Sequence, residues 1–133
     1  MWHAMRFALV PVMIACTAPL VAAQAAPHGR LITVHMVDRP NGQFAFDPAT
    51  IDAQRGDTVR FVQQSSAPHN VSFRTHPKEA KLGDAAVGPY VMNNGQTYDL
   101  VIDARFADGT YTFACDPHES VGMKGTLIVG PHK

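Results

Sequence analysis

Residues 109–123 read GTYTFACDPHESVGM, and they are the most informative part of the chain for its fold and its chemistry. Its first half alternates apolar and polar residues, which is typical of a β-strand that turns one face to a core. Tyr111, Phe113 and Cys115 share that face, so we expect Cys115 to end a rigid strand inside the protein. The proline and glycine that follow predict a tight loop before the next strand.

This loop carries three soft metal ligands at close spacing. Cys115 and His118 are three positions apart and Met123 follows five positions later, so one loop brings together a thiolate, an imidazole and a thioether. A thiolate and two imidazoles with a weak axial methionine select copper of the electron-transfer kind, whereas hard cations require carboxylates. The second imidazole has to come from another part of the chain.

His69 is the candidate for that second imidazole. It stands at a loop-to-strand junction and precedes Asn70, whose backbone N–H we expect to donate to the Cys115 sulfur. The competing histidines lie near the chain ends, in the middle of a strand or in a surface segment: His28, His132, His35 and His76. The predicted metal ligands are therefore His69, Cys115, His118 and Met123.

The N-terminal segment predicts export from the cytoplasm. A cationic start that includes Arg6 leads into apolar residues and then into small residues, the pattern of a secretory signal peptide. We predict that residues 1–25 are this signal peptide, with cleavage after Ala23 as an alternative, and that residues 26–133 form a single periplasmic domain. A second interpretation makes Cys16 the lipidated N-terminus of a lipoprotein.

Cysteine and charge counts narrow the function. The sequence has two cysteines, and loss of the signal peptide would leave Cys115 without a partner for an internal disulfide. A lone thiol in an oxidising compartment is a liability unless a metal occupies it. The 11 basic and 11 acidic side chains cancel, which argues against nucleic acid as a partner.

Short β-rich runs bounded by turn residues recur along the chain, about every 8 to 12 residues. The predicted strands lie at 31–37, 44–46, 51–53, 58–63, 69–73, 96–102, 110–115 and 123–129. Residues 75–89 predict a surface excursion with at most one helical turn. The pattern indicates an all-β, two-sheet sandwich of about seven to eight strands.

Together these motifs resemble the cupredoxins, small blue-copper proteins of the plastocyanin and pseudoazurin kind. Residues 51–61, which read IDAQRGDTVRF, are similar to the family's strand before the first histidine, and residues 109–115 are similar to its approach to the cysteine loop. The resemblance implies a Greek-key β-sandwich with one copper ion per chain, bound by the four ligands predicted above. It also implies a monomeric one-electron carrier that works with redox proteins such as c-type cytochromes or copper and haem oxidoreductases.

The sequence leaves copper handling open as an alternative function and argues against an enzyme. A periplasmic protein for copper delivery or tolerance would use the same soft ligands at a more open site. An enzyme such as a copper nitrite reductase would need a second copper site, for which one small domain has little room. We therefore expect no substrate turnover and no catalytic residues.

Asp116 departs from the family pattern, which often has a small hydroxyl residue after the cysteine. We expect its carboxylate to contact the side-chain amide of Asn70. An ionised carboxylate at this distance favours the more positive, oxidised copper and lowers the reduction potential relative to a serine.

Overall fold

A computed structural model describes residues 29–131, so the predicted signal peptide lies outside the described residues. The strands are β1 (Leu31–Arg39), β2 (Gln43–Asp47), β3 (Thr50–Ala53), β4 (Thr58–Gln63), β5 (Ser72–Thr75), β6 (Thr97–Val101), β7 (Gly109–Ala114) and β8 (Lys124–Val129). Short 3-10 turns lie at Pro40–Gly42, Gly83–Ala86 and Asp116–Val121. Within the described part of the chain, no helix has the length and hydropathy needed to span a membrane.

The strands form two four-stranded sheets, ordered β2-β1-β4-β6 and β3-β8-β7-β5. Both sheets are mixed, because β1 pairs parallel with β4 and β3 pairs parallel with β8, while the other pairs are antiparallel. The inward faces of both sheets supply the buried core. This confirms the predicted all-β, two-sheet sandwich and its number of strands.

The strand predicted at residues 69–73 begins later than expected, at Ser72. His69 makes only an isolated bridge with Val91, whose backbone exchanges hydrogen bonds of 3.2 and 2.8 Å with it. The backbone before Ser72 is therefore satisfied by a loop rather than by a neighbouring strand. In the predicted surface excursion, the single 3-10 turn at Gly83–Ala86 agrees with the expectation of at most one helical turn.

Three phenylalanines from both sheets form the centre of the core. The ring centroid of Phe113 lies 4.9 Å from that of Phe46 and 5.8 Å from that of Phe61, in edge-to-face arrangements that aromatic pairs prefer. Gly125 on β8 makes room for this ring, since a Cβ at that position would lie 2.3 Å from a carbon of Phe113. The cluster thus anchors β7 two residues before Cys115.

The buried carboxylate of Asp57 ties the start of β1 to the turn between β3 and β4. It accepts hydrogen bonds from the backbone N–H groups of Arg30 (2.8 Å) and Gln54 (3.0 Å) and from the Arg30 guanidinium (2.7 Å). Burial by itself raises the pKa of Asp57, but the hydrogen bonds from Arg30 and Gln54 outweigh it and hold this pKa below its usual value. The carboxylate therefore stays charged in the folded protein at neutral pH.

We expect Asp57→Asn to lower the free energy of unfolding at pH 7 by about 2–3 kcal/mol, the cost of losing hydrogen bonds to a charged group. Because the folded-state pKa is depressed, this contribution is present above the unfolded pKa of about 3.9 and is lost as pH falls through the folded pKa. The free energy of unfolding in urea should therefore fall less between pH 7 and pH 3 in the variant than in the unchanged protein. Asp52→Asn, at an exposed carboxylate on β3, is the control, and equal stability of the two variants would contradict the assignment.

Candidate metal centre

One sulfur and two ring nitrogens converge at one end of the sandwich. The Cys115 Sγ lies 3.5 Å from Nδ1 of His69 and 3.4 Å from Nδ1 of His118, and the two Nδ1 atoms lie 3.0 Å apart. Ser72 at the start of β5 pairs with Ala114 at the end of β7, so the residues just before β5 and just after β7 meet at the same edge. The sheet pairing thus brings together residues 46 positions apart in sequence.

Backbone hydrogen bonds close the loop that carries the other predicted ligands. The N–H of Cys115 donates to the carbonyl of Met123, and the N–H groups of His118 and Met123 donate to the carbonyls of Cys115 and His118, each at 3.1 Å. Gly122 ends the turn with φ of 91°, a left-handed conformation that glycine adopts without steric cost. Met123 is fully buried just before β8. The loop therefore fixes three predicted ligands through its own backbone.

His69 is fully buried and is held at both its backbone and its ring. Its backbone pairs with Val91, and its Nε2 lies 2.8 Å from Oγ of Ser65. Of the competing histidines, His35 lies in the middle of β1 and His76 is exposed, while His28 and His132 fall outside the described residues. Within the described part of the chain, the cluster of ligating side chains contains His69 and His118 together with Cys115.

Burial and the neighbouring backbone shift the pKa of the Cys115 thiol in opposite directions. Burial raises the pKa of its thiol, while the neighbouring backbone N–H groups of Asn70 and His118 lower this pKa, with a net rise. The hydrogen bond from the Asn70 backbone to the sulfur stays a prediction. Since a metal binds the thiolate, loading of the site releases a proton from Cys115.

His69 is uncharged at neutral pH. Burial and the neighbouring His118 lower its pKa to about 4, although Asp38 acts in the opposite direction. A neutral imidazole keeps a lone pair on one ring nitrogen, which is the form that binds metals. The structure therefore presents His69 in the protonation state of a ligand.

Asp116 forms the predicted contact with Asn70. The side-chain amide nitrogen of Asn70 donates to the carboxylate at 2.6 Å, and the backbone N–H of Asp116 donates back to Oδ1 of Asn70 at 2.9 Å. Hydrogen bonds from Asn70 and Arg74 lower the pKa of Asp116, so the carboxylate is ionised. Arg74, which the sequence analysis did not select, pairs with Asp116 at 2.8 Å and with Glu119 at 2.7 Å. One guanidinium therefore faces two carboxylates, and its charge opposes that of Asp116 beside the cysteine.

Phe44 is a second residue that the sequence analysis missed. Its ring centroid lies 4.3 Å from that of His118 and 5.1 Å from that of His69. The alternation within β2 puts Phe44 on the same face as the core residue Phe46, which is the only sequence signal for its position. The ring packs on both imidazoles and limits their rotation.

The donor set fits copper. A buried sulfur and two imidazole nitrogens lie together without a carboxylate among them, beside a buried methionine in the same loop. Softness of this kind favours copper over calcium, magnesium or manganese, and a two-sheet sandwich with such a site at one end defines a small blue-copper protein.

Residues 33–130 match the family of copper binding proteins described as the plastocyanin/azurin family. The chain belongs to this family. The predicted copper cofactor and the resemblance to the cupredoxins are thereby confirmed.

Individual relatives agree with this result. The chain is 32% identical to plastocyanin of Scenedesmus fuscus over 91 residues, covering 67% of this chain and 90% of the relative. It is 35% identical to plastocyanin of Nostoc punctiforme over 92 residues, 66% of each chain. Among solved structures, oxidised plastocyanin of Dryopteris crassirhizoma has a TM-score of 0.58 with 30% identity, covering 74% of this chain and 99% of the other. Pseudoazurin of Methylobacterium extorquens has a TM-score of 0.51 with 30% identity, covering 77% of each.

Proposed function

We propose that this protein is a periplasmic one-electron carrier whose copper ion is bound by His69, Cys115, His118 and Met123. The observation that carries the proposal is the convergence of one sulfur and two Nδ1 atoms within 3.0–3.5 Å of one another. Bound copper supplies the redox chemistry by changing between Cu(I) and Cu(II).

Rigid placement of the ligands supports electron transfer rather than catalysis. Cys115 follows a core strand, Met123 directly precedes the next strand, and His69 is held by Val91 and Ser65. Side chains whose geometry is locked by packing and hydrogen bonds do not have to move when the charge of the site changes. A carrier without substrate turnover needs this property more than it needs an open coordination position.

The electron enters and leaves the metal centre through the half-buried His118. His69, Cys115 and Met123 are fully buried, so the edge of the His118 ring is the part of the ligand set that reaches the surface. Two exposed apolar side chains accompany it: Val121 lies in the same loop, and Met92 follows the residue that pairs with His69. A small apolar surface of this kind suits brief docking with redox proteins such as c-type cytochromes.

The proposed carrier is exported to the periplasm. Residues 1–25 have the pattern of a signal peptide, and the remaining domain, 26–133, contains Cys115 as its single cysteine. In an oxidising compartment this thiol is protected because it is buried and placed to bind a metal.

Copper delivery is the alternative function that the experiment has to separate from electron transfer. A delivery protein exchanges its metal, which favours exposed ligands, whereas three of the four proposed ligands are fully buried. The geometry therefore favours the carrier.

A visible absorption spectrum of the purified, Cu(II)-loaded protein tests the proposal. We expect an intense blue thiolate-to-copper band that bleaches with ascorbate and returns on oxidation, because the thiolate binds copper directly. The Zn(II)-loaded protein is the control and should be colourless. A protein that binds Cu(I) tightly but shows no blue band with Cu(II) would favour copper delivery instead.

A further inference from the structure

A chain of hydrogen bonds leads from His69 away from the metal centre. The Nε2 of His69 lies 2.8 Å from Oγ of Ser65, and that oxygen lies 2.5 Å from Oδ1 of Asp38. Asp38 stands near the end of β1, whereas Ser65 stands in the loop that follows β4. The parallel pairing of β1 with β4 brings these two segments side by side.

The direction of each hydrogen bond follows from the charge of Asp38. Its carboxylate also accepts from the backbone N–H of Ser66 at 3.1 Å and from the Ser66 hydroxyl at 3.1 Å. The hydrogen bonds from Ser65 and Ser66 hold the pKa of Asp38 below its usual value, so the group is ionised at neutral pH. An ionised carboxylate is an acceptor only, and the Ser65 hydroxyl proton must therefore point toward it.

This orientation decides the tautomer of His69. With its proton directed at Asp38, the Ser65 oxygen has only lone pairs to offer, so the His69 Nε2 must carry the hydrogen. Nδ1 is then left with its lone pair, and this is the atom that faces Cys115 and His118. The backbone N–H of Ala67 also approaches the Ser65 oxygen, at 3.4 Å, which agrees with its role as an acceptor.

We propose that Ser65 and Asp38 are positioning residues that hold His69 in the Nε2–H tautomer and aim its Nδ1 lone pair at the copper position before the metal arrives. This inference rests on the proposed function, because it takes Nδ1 of His69 as a copper ligand. The negative end of the chain, at Asp38, also polarises the imidazole and makes it a stronger donor, which favours the oxidised metal.

The copper affinities of matched serine variants test whether Ser65 positions His69. Ser65→Ala should weaken copper binding by about 10–100-fold in chelator competition, the usual cost of removing a partner that orients a metal-binding histidine. Ser65→Thr keeps the hydroxyl and should restore affinity. Ser66→Ala is the control, since Ser66 contacts Asp38 but not His69, and should stay within about twofold of the unchanged protein by the same reasoning. Equal affinities of Ser65→Ala and Ser66→Ala would overturn the proposal.

Two further readouts separate this inference from the electron-carrier proposal. Imidazole NMR of the copper-free full chain should show His69 protonated at Nε2, with a proton that exchanges slowly; protonation at Nδ1 would overturn the inference. Asp38→Asn, at an exposed position, should raise the reduction potential. An unchanged potential would show that Asp38 does not act on His69 through the hydrogen bonds of Ser65. Absence of a blue band in the unchanged protein would instead sink the carrier proposal, and the NMR result would still decide the tautomer.

Discussion

We expect Cys115→Ser to abolish the visible absorption of the Cu(II)-loaded protein and to weaken copper binding by more than the roughly 10–100-fold that loss of an orienting partner costs. The blue band requires a thiolate bound to copper, and a serine hydroxyl in the same buried place cannot supply a comparable anion. Cys115 is also the residue whose sulfur lies within 3.5 Å of both Nδ1 atoms, so its loss removes the donor at the centre of the set.

The matched variant for this experiment is Met123→Leu. It removes the thioether but keeps the thiolate and both imidazoles, so the blue band should remain while the reduction potential changes, because the axial ligand tunes it. Denaturant unfolding of the copper-free proteins checks that both variants are folded. A Cys115→Ser protein that kept the band would show that another group supplies the sulfur.

Phe113→Ala should lower the free energy of unfolding of the copper-free protein by about 3–5 kcal/mol, the range found when a buried phenylalanine is truncated. Phe113 is buried and its ring packs against aromatic rings from β2, β4 and β5. Truncation leaves a cavity between two rigid sheets that cannot collapse to fill it. Urea unfolding monitored by circular dichroism measures the loss.

Tyr90→Ala is the control for this truncation. Tyr90 is also aromatic but is 47% exposed, and a surface substitution of this kind changes stability by only about 0.5 kcal/mol. Similar losses for Phe113→Ala and Tyr90→Ala would contradict the central role of the phenylalanine cluster.

The parts of the site that depend on local spacing were predictable from the sequence. Cys115, His118 and Met123 belong to one loop, so their separation alone indicates a shared metal. Strand alternation likewise predicted that Tyr111 and Phe113 face the core, and both are buried. Short-range geometry of this kind is fixed by the periodicity of the strand and by the length of the loop.

The residues that surround these ligands depend on which strands become neighbours, and periodicity carries no such information. Arg74 reaches Asp116 because β5 pairs with β7, and Phe44 reaches His118 because the start of β2 lies beside the ligand loop. Nothing in the sequence distinguishes Ser65 from other loop serines, because it lies beside Asp38 only through the parallel pairing of β1 and β4. Each of these contacts joins segments that are distant in sequence.

His69 lies on the segment that crosses from β4 in one sheet to β5 in the other, while Cys115 and Met123 flank the loop between β7 and β8 of the second sheet. A copper ion bound by these proposed ligands would link the crossing segment to the second sheet. Metal that binds only the folded chain adds to its stability in proportion to the logarithm of metal concentration over the dissociation constant. With these ligands, the lifetime of the protein against proteolysis would depend on the copper supply around it.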